Sequence, residues 1–255
     1  MSFEPQSRLD GRVAVITGGK GAIGMASARR LCALGARIVS IDRSDSAAVQ
    51  ALLDRLPGVA GGPHFALTAS VTDSAALRAA AQSVLERAGR CDILINSAGY
   101  TSSVAAADLD GLDDALFDDI VQTNLRGVFA TIRAFAPLLK LGGDGLIVNV
   151  SSIAGFTGAG SNLAYVAAKA GVDMLTKSLA KALAPQVRVL AVSPGVVDSA
   201  FVPGRGADFN DKAAATIPLK RIGQVEDIAS AIEACATTLR FATGSRFVVD
   251  GGRSL

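Results

Sequence analysis

The stretch VAVITGGKGAIGMASARRLCALG, residues 13–35, decides the fold. Its first five residues, Val13–Thr17, are apolar and mostly β-branched, the composition of a buried strand. Glycines follow at positions 18, 19, 21 and 24. Then Ile23, Ala26, Leu31 and Leu34 recur at helical spacing, and Gly35 closes the run. Gly19, Gly21 and Gly24 spell GxGxxG, which serves a tight turn, close approach of backbone to a pyrophosphate, and close helix packing. The helix start then offers its free N–H groups to phosphate. GxGxxG alone also describes a plain tight turn. Here it has the strand-loop-helix context, and Asp42 ends the second apolar run, where a carboxylate accepts from ribose hydroxyls.

Outward from this unit, strand and helix patterns alternate to the end of the chain. Strands are predicted at 36–41, 64–69, 91–96, 145–150, 187–192 and 246–250. Helices are predicted at 46–56, 73–89, 112–141, 161–183 and 225–239, with Thr72 or Asp73 capping the second of these. The strands are continuous apolar runs, which suits strands covered on both faces of a parallel sheet. Right-handed crossovers then give an α/β, doubly wound Rossmann fold, with about seven parallel strands and helices on both faces. No linker or composition shift appears, so residues 1–255 read as a single domain. The one long irregular stretch, 198–223, mixes Phe201, Val202, Phe209 and Ile217 with Arg205, Asp208 and Lys212 and reads as a substrate loop.

Composition closes off several classes of function. Half of the 255 residues are apolar, and the net charge is +2 without a basic run. Neither a nucleic-acid partner nor a membrane surface is expected. No apolar stretch reaches the roughly 20 residues of a membrane helix. The opening MSFEPQSRLDGR has no apolar core and reads as no signal peptide, so a cytoplasmic location is expected. Cys32, Cys91 and Cys235 have no metal or CxxC spacing and read as reduced core residues. No metal is expected. His64 is the single histidine, and GxSxG is absent, so proton chemistry falls to another residue type.

SNLAYVAAKAG, residues 161–171, supplies one. Tyr165 and Lys169 lie four apart, on one face of a helix. A cation beside a phenol favours the phenolate and lowers a pKa of about 10. Alone, the pair also fits a helix face with a snorkelling lysine.

With the other motifs, the chain resembles the short-chain dehydrogenase/reductase family over essentially its whole length. TGGKGAIG matches the family's TGxxxGxG with Ala22 in place of one glycine. NSAG, residues 96–99, matches NNAG. Asn124 stands in NLRG and Ser152 in NVSSIAG. Tyr165 and Lys169 make YxxxK, and Pro194-Gly195 is followed by Ser199, where threonine is usual. The resemblance implies hydride transfer between a nicotinamide cofactor and a secondary alcohol or ketone. Asn124, Ser152, Tyr165 and Lys169 are the implied catalytic residues. Tyr165 would move the proton, Ser152 hold the substrate oxygen, Lys169 tune Tyr165 and bond the nicotinamide ribose, and Asn124 hold a water linking Lys169 to solvent. The implied cofactor contacts are Gly18, Gly21, Ile23, Gly24, Asp42, Ser70, Val71, Asn96, Ala98, Gly99, Tyr165, Lys169, Pro194, Gly195, Val197 and Ser199.

Ser70 replaces an aspartate that usually holds the adenine amino group, and Ser97 replaces the second asparagine of NNAG. Asp42 favours NAD over NADP, since its charge about 4 Å from a 2′-phosphate charge costs roughly 4 kcal/mol at a dielectric of 20. Arg43 and Lys20 are the counterweights. A homotetramer paired through 112–141 and 161–183 is implied by the same resemblance. Other readings are a carrier-protein-linked 3-oxoacyl reductase, a class that usually prefers NADPH, a sugar-nucleotide epimerase or dehydratase, and a nucleotide-sensing regulator without turnover. Tyr100, next to NSAG, is either a cleft residue or plain packing.

Overall fold

The computed structural model describes residues 8–43, 46–204, 206 and 208–255. Most of the MSFEPQSRLDGR segment, and Arg205 of the expected substrate loop, lie outside the described residues.

Seven strands form one sheet in the order β3-β2-β1-β4-β5-β6-β7, every neighbouring pair parallel. They are β1 (Val13–Thr17), β2 (Arg37–Asp42), β3 (Phe65–Thr68), β4 (Ile93–Asn96), β5 (Gly145–Val150), β6 (Val187–Pro194) and β7 (Arg246–Val249). Helices α1 (Ala22–Ala33), α2 (Ser46–Leu53), α3 (Ser74–Ala88), α4 (Asp114–Val121) and α5 (Gly127–Leu141) alternate with the first five strands. Beyond them come α6 (Ala154–Thr157), α7 (Leu163–Leu183), α8 (Phe209–Thr216) and α9 (Val225–Thr237). This is the expected doubly wound fold.

Period-two geometry explains why the strands read as unbroken apolar runs. Ala14 and Ile16 of β1 join one core with Ile38, Ile95 and Val148, packed under Leu31 of α1 and Ile228 and Ile232 of α9. Val13 and Val15 join the opposite core with Val39, Leu94 and Ile147, under Ala80 of α3, Phe135 of α5 and Val172 of α7. Both faces of each central strand are therefore dry. Fully burying a Val, Leu or Ile side chain is worth about 1.5–3 kcal/mol.

Three departures from the sequence reading have local causes. The predicted helix over 112–141 is broken by a π-helical turn, Gln122–Arg126. Within it the buried Asn124 amide donates to the carbonyls of Ile120, at 2.9 Å, and Tyr100, at 2.8 Å. A side chain that takes a main-chain acceptor on its own helix accompanies the widened turn. The strand predicted at 91–96 is shorter, because Asp92 spends its carboxylate on Val13 N at 2.8 Å and on Arg12 and Arg90. The segment 198–223 is not wholly irregular: it carries α8, of which Ala213 alone is buried.

Candidate active site

The strand order reverses between β1 and its neighbours β2 and β4, and the crevice at such a switch point is where doubly wound sheets bind ligands. A cleft of about 1540 Å³ opens there, at the carboxyl ends of the strands.

The glycine loop forms one wall. Gly18 N donates to Ile41 O at 2.8 Å, and Ala98 N donates to Thr17 Oγ1 at 3.3 Å, tying the loop to β2 and to the NSAG turn. Gly18 has φ +65°, and a Cβ there would meet Ala98 Cα at 2.8 Å. Position 18 therefore needs glycine on both conformational and steric grounds. A Cβ on Gly24 would meet Gly18 O at 2.4 Å, so this glycine serves close helix packing. Gly21 caps α1 without any side-chain hydrogen bond, leaving the first N–H groups of α1 facing the cleft as an anion site. Asp42 ends β2 and lines the cleft beside Arg43. Lys20 is exposed and outside the lining. Ser70 Oγ accepts from Thr72 N at 3.2 Å and pairs with Thr72 Oγ1 at 2.8 Å, so part of its capacity is used within its own turn.

The serine, tyrosine and lysine that the resemblance singles out border the same cleft. Ser152 follows β5, and its Oγ accepts from Ala154 N at 3.1 Å. That bond steadies the turn into α6, and Ser152 keeps its hydroxyl proton for another acceptor. Asn162, buried, caps α7: its Oδ1 accepts from Tyr165 N at 2.8 Å. Its Nδ2 donates to Thr101 Oγ1 and to Ser102 O at 3.0 and 2.8 Å, so the helix start is pinned to the loop after β4. One turn on stands Tyr165, half-buried, its ring 5.9 Å from that of Phe201 and tilted by 54°. Lys169, the next turn again, is 4% exposed and donates to Val150 O at 2.8 Å. Burial pulls its pKa down to about 8, and Asp173 one turn further along α7 pulls the other way. Asp173 is itself held by Arg246 at 2.7 Å. Pro194 and Gly195 close the floor, with Ile153 N donating to Pro194 O at 3.0 Å and Gly195 N to Val249 O at 3.1 Å.

Of the residues the resemblance implies, Gly18, Gly21, Ile23, Asp42, Ser70, Val71, Ala98, Gly99, Ser152, Tyr165, Lys169, Pro194, Gly195, Val197 and Ser199 line this cleft. Gly24, Asn96 and Asn124 sit behind the lining. Asn96 is buried in the sheet and donates to Asn149 Oδ1 at 2.8 Å, which braces β4 against β5. Asn124 backs onto Gly99, where a Cβ would meet Asn124 Oδ1 at 2.6 Å. Among the described residues that Oδ1 has no hydrogen-bond partner.

Tyr100 does line the cleft and donates to Asp119 Oδ2 at 3.2 Å; burial first, and then Asp119, push its phenol pKa up. Asn162, Asp119 and Arg253 were not singled out by the sequence reading. Only Asn162 carried a signal, an amide just ahead of an apolar-periodic run. His64 is structural: its Nδ1 accepts from Ile38 N at 3.0 Å, and its Nε2 lies 2.9 Å from Pro57 O. All three cysteines are buried and free.

A family model described as enoyl-(acyl carrier protein) reductase matches residues 18–254. A solved structure described as a short-chain dehydrogenase/reductase, glucose/ribitol dehydrogenase, from Brucella melitensis superposes with a TM-score of 0.86, at 30% identity, over 96% of this chain and 98% of that one. The chain belongs to the short-chain dehydrogenase/reductase family. Among curated members, the cis-4-hydroxycyclohexanecarboxylate dehydrogenase of Sinomonas cyclohexanicum is 36% identical, covering 94% of this chain and 96% of its own. The 3-oxoacyl-acyl-carrier-protein reductase FabG of Thermotoga maritima is 33% identical over 96% and 98%.

Short-chain dehydrogenase/reductases bind a nicotinamide cofactor, and the residues of this chain fit one. The glycine loop borders the cleft, the start of α1 offers uncapped N–H groups, and an acid stands at the end of β2. Among the described residues no helix is long and apolar enough to cross a membrane.

Proposed function

We propose that this protein is an oxidoreductase that transfers a hydride between NAD(H) and a small secondary alcohol or ketone, with Tyr165 as general acid/base. The reading rests on one observation: Ser152, Tyr165 and Lys169 line the same cleft as the glycine loop and Pro194-Gly195, with Lys169 Nζ 5.5 Å from the Tyr165 ring centroid.

The bound nicotinamide supplies the hydride to the carbonyl carbon, or takes it from the carbinol carbon. The remaining chemistry belongs to the chain. In reduction, the carbonyl π pair moves onto oxygen, and Tyr165 delivers its phenolic proton there; in oxidation it takes that proton back. Ser152 orients the same oxygen by donating its hydroxyl proton. Lys169, held in place by Val150 O, favours the phenolate by its charge and would hold the ribose of a bound nicotinamide. A proton-transfer group performs best with a pKa near the working pH, and a neighbouring ammonium moves a phenol in that direction. Asn124 holds the water that reconnects Lys169 to solvent; the unpartnered Oδ1 in the π-turn supports that role.

Asp42 at the ribose position supports NAD over NADP. The Thermotoga maritima relative supports a second reading, a 3-oxoacyl reductase using NADPH, in which Arg43 rather than Asp42 sets the cofactor. Residues 1–255 act as one domain, with 198–223 over the substrate, in the cytoplasm. The protein assembles as a homotetramer: the exposed Phe129 and Met174 on α5 and α7 support pairing there. A light-scattering mass near the 25.8 kDa of one chain would count against this. The function is tested by screening secondary alcohols with NAD, and ketones with NADH, by nicotinamide absorbance. Turnover of any member supports the reading; cofactor binding without turnover of any favours a regulator.

A further inference from the structure

We propose that Arg253 is a specificity residue that binds a carboxylate on the substrate, so that the preferred ketone or alcohol is an acid. This rests on the oxidoreductase reading above and names its substrate class. Beyond Tyr165 the described lining is mostly apolar, with Val104, Ile153, Val196, Phe201 and Phe209. Hydroxyls interrupt it, and one guanidinium, Arg253, stands at its edge. Of the other cations of the described lining, Arg43 lies at the end of β2, where its charge acts on Tyr100, and Lys169 is buried against Val150 O. The carboxylates of the described lining are Asp42 and Asp119, of which Asp119 is engaged by Tyr100.

Arg253 is placed by construction, although its side chain is exposed. The tail folds back through Asp250, whose Oδ1 accepts from Gly252 N and whose Oδ2 accepts from Ser254 N, each at 2.8 Å. The nearest acid in sequence is thereby occupied by backbone. Gly251 and Gly252 have φ +66° and +87°, and a Cβ on them would meet Ile217 Cγ2 at 2.7 Å and Pro218 Cγ at 2.9 Å. The tail is thus docked tightly on the segment after α8, and Leu219 N donates to Gly251 O at 3.1 Å. Arg253 Nη1 then donates to Thr216 Oγ1 at 3.0 Å, and that hydroxyl donates on to Ala213 O at 2.8 Å. Thr216 also lines the cleft.

Among the described residues no carboxylate pairs with Arg253, and one N–H is used by Thr216. A guanidinium has five N–H donors in a planar fork matched to a carboxylate. An apolar wall with one anchored fork at its edge suits an apolar acid rather than a sugar, whose many hydroxyls would lose their water partners against it.

The probes are 5-oxohexanoate and its methyl ester, which keep the ketone and remove the charge. Binding of each to the NADH complex is measured by calorimetry on wild type, Arg253→Met and Arg253→Lys; turnover is measured in parallel. The expected result is acid over ester by ~10-fold or more in wild type, the scale of a charge-assisted pair, a ratio near one in the Met variant, and partial retention in the Lys variant. Equal acid and ester binding by wild type would overturn the proposal. So would a Met variant that loses NADH affinity but keeps the acid-to-ester ratio, since the fork would then serve the cofactor. The binding arm judges Arg253 even where neither ketone turns over, a result that would instead count against the oxidoreductase reading.

Discussion

Lys169 Nζ stands 5.5 Å from the centroid of the Tyr165 ring while it donates at 2.8 Å to the carbonyl of Val150. The i, i+4 spacing on α7 sets both side chains on one helix face, and the end of β5 fixes the ammonium. The lysine is thus positioned by the sheet, and the phenol by Asn162 at the helix start. Burying that cation is costly, which has a measurable consequence.

Lys169 titrates at about 8 in the folded protein and near 10.5 when unfolded, because burial disfavours the ammonium. Below about pH 8 both states hold the proton, and the folded state bears the whole burial cost. Between about 8 and 10.5 the unfolded chain binds more protons, so stability rises with pH. Lys169→Met removes this dependence. The stability of wild type relative to the variant should climb across that window, by roughly 3 kcal/mol at about 1.4 per pKa unit. Denaturant midpoints for both proteins across the window test this; parallel curves would mean that Lys169 keeps an ordinary pKa. The variant should also lose most turnover.

Asn162 should be more than a cap. Asn162→Ala removes the acceptor for Tyr165 N and both donors to the loop at 101–102. Loss of a cap costs about 1 kcal/mol, and stranded buried partners about 1–3 more. A lower urea midpoint is expected, together with a fall in kcat larger than any change in KM, because Tyr165 is no longer held. Asn162→Asp keeps the acceptor and should sit between the two. Unchanged kcat in the Ala variant would detach the cap from catalysis.

For the cofactor, kcat/KM with NADH and NADPH is to be compared on wild type and Asp42→Ala. Wild type should prefer NADH by ten-fold or more, on the order of a like-charge pair in a partly solvated site. Removing the carboxylate should shift the ratio toward NADPH, with Arg43 then available to the phosphate. No shift in the ratio would mean that Asp42 does not read the ribose.

Much of this was legible before any coordinates. Val13, Val15, Ala14 and Ile16 spell a strand dry on both sides, and the glycines after them serve only a turn of that shape. What stayed hidden depends on contacts distant in sequence. QTNLR has ordinary helix composition, and its π-turn accompanies the bond that Asn124 makes to Tyr100 O. FNDKAAAT has too little apolar periodicity to announce α8. Asn96 sits in a family motif beside the cleft, yet only its bond to Asn149 shows that it braces the sheet. Arg253 looks like a stray tail cation until the two glycines before it are seen docked on Ile217 and Pro218.

The central claim is that Tyr165 moves the proton, and Tyr165→Phe tests it most directly. The ring, its tilt against Phe201 and the Asn162 cap on its backbone all survive the change; only the phenolic proton goes. On a ketone that wild type reduces, kcat should fall by about 10²–10⁴, with NADH affinity and melting temperature close to wild type. Retention of more than about a tenth of wild-type kcat would place the proton on another group and contradict the account.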